Sequence, residues 1–474
     1  MSNGTPIKTI EELSAALGPG GWIDGESDDA AQYLTDWSGA FTGKAIGIAR
    51  PANVAEVQAV LKLAKKHSLS VIPQGGHTGL VGGGTPFNEG NVIVLSLKRM
   101  NKIRKIDPAN YTLVVEAGAI LQEVQEAAVG HDRFFPLSLG AEGSCTIGGN
   151  LSTNAGGVNV IRYGNARELV LGLEVVLPDG EIWDGLRTLR KDNTGYHLKH
   201  LFLGAEGTLG VITAAALKLF PKPMRTAAAW VATPSVKDAL AVLEIARNET
   251  GDSIETSELI TRRVVDVVVS QMDGVRDPMP DASPFYILME ASTTRKAETG
   301  ETPQNMLENA LAQAIEAGHA TDAIIAQSDQ QRTDFWKIRE SSPEAMRRLG
   351  KPRITWDVTL PISDLPDFYA AAEKRMSEVA PDVTFQGFGH MGDGNLHYAA
   401  YGDRVREIKS LLDKTLYDLV ADFEGSFSAE HGIGQKRTEE LERYKSPVEY
   451  KLMQTLKNAL DPDGRMNPGK VLHV

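Results

Sequence analysis

The sequence predicts an α+β protein in two parts, and three observations predict it. Short apolar stretches alternate with glycine-rich turns through the first half of the chain. From about residue 225 the glycines thin out and helices alternate with strands. Glycine then returns at residues 387–434, ahead of a terminal amphipathic helix.

The bulk properties allow such a protein. A chain of 474 residues holds two or three domains and a substantial core. Apolar residues make up 42% and charged residues 23%, ordinary for a globular protein. A net charge of −13 argues against nucleic acid as a partner and reads as solubility. The single cysteine, Cys145 in "EGSCTIGG", has no basic neighbour and reads as a small buried residue. No disulfide can form within the chain, so a reducing compartment fits, and a cytoplasmic location is expected. The first residues show no basic-then-apolar signal, and no run of 18 apolar residues suggests a membrane span.

In chain order, a short N-terminal helix precedes "PANVAEVQAVLKLAKKHSLSVI", a helix followed by a strand. Asn53 and Glu56 have capping-box spacing, and Val57, Val60, Leu61 and Ala64 form one apolar face. "PQGGHTGLVGGG", residues 73–84, follows with six glycines. Such a run allows an anion to approach free backbone N–H groups. It is not a Walker loop, because no Lys-Ser or Lys-Thr follows, and Pro86 stands where a dinucleotide Rossmann helix would begin. "TLVVEAGAILQEVQEAAV" repeats strand, glycine turn and helix. "TIGGNLSTNAGGVNVIRYG" is a second glycine cluster, and "LVLGLEVVLPDGEIWDG" a hairpin bent at Pro-Asp-Gly. "FLGAEGTLGVITAAALKLFP" closes this part. Beyond it lie the strand "AAAWVAT", a helix at Ser235–Asn248, the strand "FYILMEAS", a helix near Gln304–Ala317 and the strand "RITWDVTLP". They suggest a sheet with helices on one face.

"GFGHMGDGNLHY" reads as two extended runs about a Gly-Asp-Gly turn, so His390 and His397 can face each other across it. "AEHG" adds Glu430 and His431. Two histidines and a carboxylate with one open position suit a catalytic metal, whereas Asp393 reads as a turn residue.

"PQGGHTGLVGG", "TIGGNLSTNAGGVNVIRYG" and "LGAEGTLGVIT", in this order, resemble the FAD-binding domain of vanillyl-alcohol-oxidase (PCMH-type) flavoproteins. "GFGHMGDGNLHY", "SAEHGIGQKR" and "DPDGRMNPGKVL" narrow the resemblance to FAD-dependent D-2-hydroxyacid dehydrogenases: the D-lactate, D-2-hydroxyglutarate and glycolate-oxidase-subunit group. The resemblance implies an FAD domain over residues 1–222 in two subdomains and a ferredoxin-like α+β substrate domain over 223–424. A C-terminal segment, 425–474, returns to the FAD domain.

It implies that Pro73, Gly75, Gly76, His77, Thr78, Gly79 and Leu80 wrap the FAD pyrophosphate. Pro136, Leu137, Gly148, Gly149, Asn154, Gly156 and Gly157 would line the adenine and flavin, with Glu206, Gly207, Ile212 and the returning Asn467. Some oxidases of this fold attach FAD through a histidine in "GGH"; here non-covalent FAD is expected. His390, His397 and Glu430 match the ligands of a divalent metal, expected to be zinc. Asn395 and His431 match substrate-contacting residues, with His431 as the base. Arg339, in "WKIRESSPEAM", matches an arginine that clamps the substrate carboxylate; its other use would be an ion pair with Glu340 or Glu344. Thr355 stands where many relatives carry lysine, and Pro343 replaces a hydroxyl-bearing residue, which disfavours a dicarboxylate.

The function expected is oxidation of a D-2-hydroxy acid to the 2-oxo acid. Electrons would leave to a quinone, a cytochrome or an electron-transfer flavoprotein, and the chain would form a homodimer. The alternatives are a metal-free FAD alcohol oxidase of the same fold and a non-catalytic flavin-binding subunit.

Overall fold

The computed structural model describes residues 7–88, 91–296 and 301–473. Residues 1–6, the start of the stretch read for a targeting signal, lie outside them. The chain divides into two compact units. One comprises Met1–Ala155, Asn165–Pro221 and Glu430–Val474, the other Gly156–Gly164 and Lys222–Ala429. No described helix is long and apolar enough to cross a membrane.

The first unit contains two main sheets. One has four strands in the order Trp22–Asp24, Gly47–Ala49, Val92–Ser96, Ser70–Gln74, the last three mutually parallel. The helix Val54–Lys66 makes the crossover and buries Val57, Val60, Leu61 and Ala64 against Val71, Ile93 and Leu95. The valines and leucine so removed from water contribute about 1.5–3 kcal/mol each. Asn53 caps this helix by accepting the Glu56 N–H at 3.0 Å, while the Glu56 carboxylate reaches one residue further back, to the N–H of Ala52. Because Ser70–Gln74 is an edge strand, it tolerates Pro73.

The other main sheet of this unit is antiparallel, in the order Ile103–Asp107, Thr112–Glu116, Val211–Lys218, Val170–Val176, Ile182–Gly185. Its last two strands are the Pro-Asp-Gly hairpin, in which Val176 pairs with Ile182. The C-terminal helix Pro447–Leu460 starts with a full capping box, Ser446 and Glu449. Beyond it the chain lies alongside the free edge of the parallel sheet: Val71 donates to Arg465 O at 2.9 Å, and Asn467 donates to Val71 O at 2.8 Å.

The second unit is built on one seven-stranded antiparallel sheet. Its first four strands, Arg225–Thr233, Ile254–Thr261, Phe285–Thr293 and Asp322–Ile325, form a β-α-β-β-α-β unit with the helices Val236–Glu249 and Pro303–Glu316. Their spatial order is fourth, first, third, second, the split βαβ arrangement. Thr384–His390, Asn395–Tyr401 and Arg353–Thr359 extend the sheet from Ile254–Thr261 outward.

Helices cover both faces of this sheet, not one as the sequence suggested. Every residue of Ile254–Thr261 is buried, which a sheet with one wet face cannot give. Trp230, Ile260, Leu288 and Phe388 pack on one side against Val264, Val268, Phe335, Ile338 and Ala345. Those come from the helices Arg262–Gln271, Asp329–Glu340 and Ser342–Arg348. On the other side Tyr369, from the helix Leu365–Val379, meets Phe285 and Tyr398 edge-on. The expectation of one covered face counted only the helices between the early strands. It missed those formed by "DQQRTDFWKIRE" and "SPEAMRR".

Candidate functional site

In the first unit the strand Ser70–Gln74 runs out into the glycine loop. The backbone N–H groups of residues 75–80 donate to no protein atom among the described residues. A Cβ on Gly76 would lie 2.2 Å from Ser144 O, and one on Gly75 would lie 2.4 Å from Thr146 Oγ1. Thr146 Oγ1 is itself buried without a partner. Six consecutive free donors beside an orphaned hydroxyl suit a ligand with several anionic oxygens, such as a diphosphate. The loop walls a cleft with about 970 Å³ of empty space open to solvent.

Of the residues predicted to touch FAD, Pro73, Gly75, Gly76, His77, Thr78, Gly79, Gly148, Gly149, Glu206, Gly207 and Ile212 line this cleft. Leu80, Pro136, Leu137, Asn154, Gly156, Gly157 and Asn467 do not. Pro136 and Leu137 are buried, and Leu137 O accepts from Gln125 Nε2 at 2.7 Å. Asn154 is a left-handed turn residue, φ +51°, whose side-chain oxygen accepts the Arg167 N–H. Gly156 and Gly157 belong to the second unit. Asn467 acts from behind the wall: its Nδ2 donates to Gly83 O at 3.0 Å and Glu206 O at 2.7 Å.

His77 sits at φ +65°, and its Nε2 donates to Thr35 O at 2.8 Å. Burial pulls its imidazole below the usual histidine range, so the ring is neutral and one nitrogen is committed to the backbone. Cys145 lines the cleft too, but burial pushes its thiol up, away from nucleophilic chemistry.

Glu206 is buried, and burial raises its carboxyl even though it accepts the N–H groups of Ile433 (2.7 Å) and Gly434 (2.8 Å). Those bonds hold the turn directly after His431, which also lines the cleft.

In the second unit, Thr384–His390 and Asn395–Tyr401 pair across the Gly-Asp-Gly turn. Gly394 has φ +80° there, and a Cβ would strike Leu360 O at 2.1 Å. Asp393 accepts the Asn395 N–H, a turn contact. The turn brings the His390 and His397 rings to a centroid separation of 5.5 Å, nearly perpendicular. The strand Arg353–Thr359 lies on the far side of His397, with Asp357 opposite it in register. Ala429 donates to Asp357 O at 3.3 Å, and Glu430 follows one peptide bond later, where the chain leaves this unit. Ligand atoms of His390, His397 and Glu430 lie within 4.8 Å of one another. Asn395 gives both amide hydrogens away, to Asp357 Oδ1 at 3.0 Å and Val358 O at 2.9 Å. Its Oδ1 is buried without a partner, an acceptor only.

Arg339 reaches from its helix onto the sheet. Its Nε donates to Glu258 at 2.6 Å, and its Nη2 lies 3.4 Å from His390 Nε2. Glu344, one of its expected partners, instead carries Arg347 and Arg348. Glu258 also accepts from His390 Nδ1 at 2.5 Å. Burial works to raise this fully buried carboxyl, but Arg339 and His390 outweigh it and hold it far below the usual range. Thr355 is exposed, on the same strand face as Asp357 and paired with Ala399.

Sequence reasoning missed Glu258 and Asp357. "SIETSELIT" carries two glutamates in one strand, Glu255 and Glu258, and their spacing does not say which one meets a histidine.

Residues 45–185 match the family model of the FAD binding domain, and residues 222–471 that of FAD linked oxidases, C-terminal domain. The chain is 39% identical over 443 residues to the mitochondrial D-2-hydroxyglutarate dehydrogenase of Arabidopsis thaliana, covering 92% of this chain and 77% of the relative. It is 38% identical to the rat mitochondrial enzyme of the same name, over 98% and 86% of the two chains. Identity is 34% to the D-2-hydroxyglutarate–pyruvate transhydrogenase of Saccharomyces cerevisiae, over 94% and 90%. Among solved structures, p-cresol methylhydroxylase shares the fold at a TM-score of 0.74 and 16% identity, over 99% and 97% of the chains.

These relatives correct the cytoplasmic location expected from sequence: the Arabidopsis and rat proteins are mitochondrial, as are those of rice and cattle. A single cysteine precludes an intrachain disulfide and does not distinguish one compartment from another.

Proposed function

The chain belongs to the FAD-dependent D-2-hydroxyacid dehydrogenases, and we propose that it works with a divalent cation held by His390, His397 and Glu430. It oxidises a D-2-hydroxy acid to the 2-oxo acid. The observation that carries the metal reading is the convergence of these three side chains within 4.8 Å. It is strengthened by Glu258, which accepts the His390 Nδ1–H and so makes Nε2 the ring nitrogen that carries the lone pair. Two histidines and one carboxylate suit zinc.

FAD bound in the cleft would supply the acceptor for the C2 hydride. His390, His397 and Glu430 would hold the cation, which would supply Lewis acidity at the substrate hydroxyl. The protein's own groups do the rest. Glu258 holds Arg339 by Nε, and Nη1 with Nη2, the latter 3.4 Å from His390 Nε2, presents the substrate carboxylate with a planar fork suited to two oxygens. Asn395, whose amide hydrogens are taken, offers the site only its Oδ1 as an acceptor beside the substrate. His431 removes the hydroxyl proton. Glu206 keeps the His431 turn in place through Ile433 and Gly434. The N–H groups of residues 75–80 and the Thr146 hydroxyl hold the FAD pyrophosphate.

Thr355 sets the tail of the substrate. An uncharged side chain there leaves a distal carboxylate without a cation, which favours D-lactate or a D-2-hydroxy acid with an apolar tail. One observation favours a second reading. Arg353 lies on the same strand face, half-buried and without a hydrogen-bond or ion-pair partner among the described residues. It offers a cation to a longer diacid. The electrons leave to a quinone, a cytochrome or an electron-transfer flavoprotein, or to a 2-oxo acid such as the pyruvate named for the yeast relative.

An anaerobic screen of D-2-hydroxy acids, read as loss of flavin absorbance, tests the substrate. D-lactate reducing the flavin faster than D-2-hydroxyglutarate supports the Thr355 reading. The reverse order, abolished in Arg353→Ala, supports the diacid.

A further inference from the structure

Glu258 belongs to none of the roles above except as a neighbour of His390, yet it is the most deeply buried charge near the cluster. We infer that Glu258 is a positioning residue whose charge allows a cation site and a cationic substrate clamp to share one histidine. The inference rests on the metal reading of His390, His397 and Glu430.

Glu258 lies within a fully buried strand, opposite His390 in register on the neighbouring strand. Its side chain has no exposure, and its two oxygens go to two different groups: Oε1 to His390 Nδ1, Oε2 to Arg339 Nε. A carboxylate accepts only, so the His390 Nδ1 must carry the hydrogen and Nε2 the lone pair. That same Nε2 lies 3.4 Å from the Arg339 guanidinium. A divalent cation bound at Nε2 would therefore meet a fixed positive charge at close range in a poorly solvated place, where such repulsion is strong. Glu258 touches both and cancels the guanidinium. Its removal should weaken the metal site in two separable ways: a looser histidine, and an uncompensated arginine.

The separation gives the test. Zinc affinity is measured by competition with a chelator on FAD-loaded protein without substrate, with the flavin spectrum as the check on folding. Glu258→Gln keeps the shape and removes the charge; its zinc dissociation constant should rise about 10- to 100-fold, the usual worth of such a partner. Adding Arg339→Gln to that variant should recover part of the loss, because the repelling charge is gone. A role confined to packing predicts no recovery. If Glu258→Gln does not fold, Arg339→Gln alone still decides: it should bind zinc more tightly than wild type.

Zinc binding unchanged in Glu258→Gln, or no gain on removing Arg339 in either background, overturns the inference while the metal reading stands. A wild-type protein that binds no zinc overturns both.

Discussion

The glycine cleft of the first unit and the histidine cluster of the second use different materials for binding. In the cleft the backbone faces the ligand space: N–H groups 75–80 donate to no protein atom among the described residues, and side chains are excluded because a Cβ on Gly76 would collide with Ser144 O. In the cluster the side chains do it, and neighbouring strands aim them: Glu258 is opposite His390, and Asp357 opposite His397. A backbone site fails when atoms are added. A side-chain site fails when atoms are removed or recharged. The two should therefore be separable by experiment.

The largest expected effect falls on the cluster. Chelation, His390→Ala or His397→Ala should abolish turnover with D-2-hydroxy acids while the protein stays yellow. Full activity in the chelated protein would break the contrast, because the cluster would then be idle. Next, His431→Ala should slow flavin reduction by about 10²- to 10⁴-fold with FAD and metal both retained. A rate within twofold of wild type in stopped-flow removes His431 as the base.

Gly76→Ala probes the other region by adding one methyl. Overpacking of this kind costs about 1–3 kcal/mol, and it should appear as weaker FAD retention on gel filtration with zinc content unchanged. Parallel loss of zinc would mean that the two sites are not independent. Thr355→Lys should shift preference toward D-2-hydroxyglutarate by up to a few kcal/mol in kcat/KM; an unchanged ratio would take Thr355 out of the specificity pocket. The smallest effect concerns His77. Acid precipitation should release all FAD into the supernatant, since Nε2 is held by Thr35 O. Yellow colour that stays in the washed pellet, and is lost in His77→Ala, would show a covalent bond.

The same contrast explains what the sequence could reveal. A backbone site needs contiguous glycines, so residues 73–84 show it directly, and the helix before them is legible from Asn53 and its apolar face. His390 and His397 are also legible, because one turn joins their strands. Glu258 is 132 residues from His390, and only the pairing of two strands distant in sequence makes them neighbours. Asp357 meets His397 in the same non-local way. Arg339 was legible as an arginine in a motif, but its pairing with Glu258 was not, because its helix neighbours offered a simpler partner. The second helical layer on the sheet was missed because its helices carry many polar residues, and only Phe335, Ile338, Ala345 and a few others face the core.

Stereospecific, metal-dependent oxidation is read in one experiment: anaerobic flavin reduction by matched D and L 2-hydroxy acids, on metal-loaded, chelated and zinc-restored protein. The D enantiomer should bleach the flavin in the loaded protein, fail after chelation with FAD still bound, and bleach it again once zinc is returned. Equal bleaching by the L enantiomer, or bleaching that chelation leaves untouched, would contradict it.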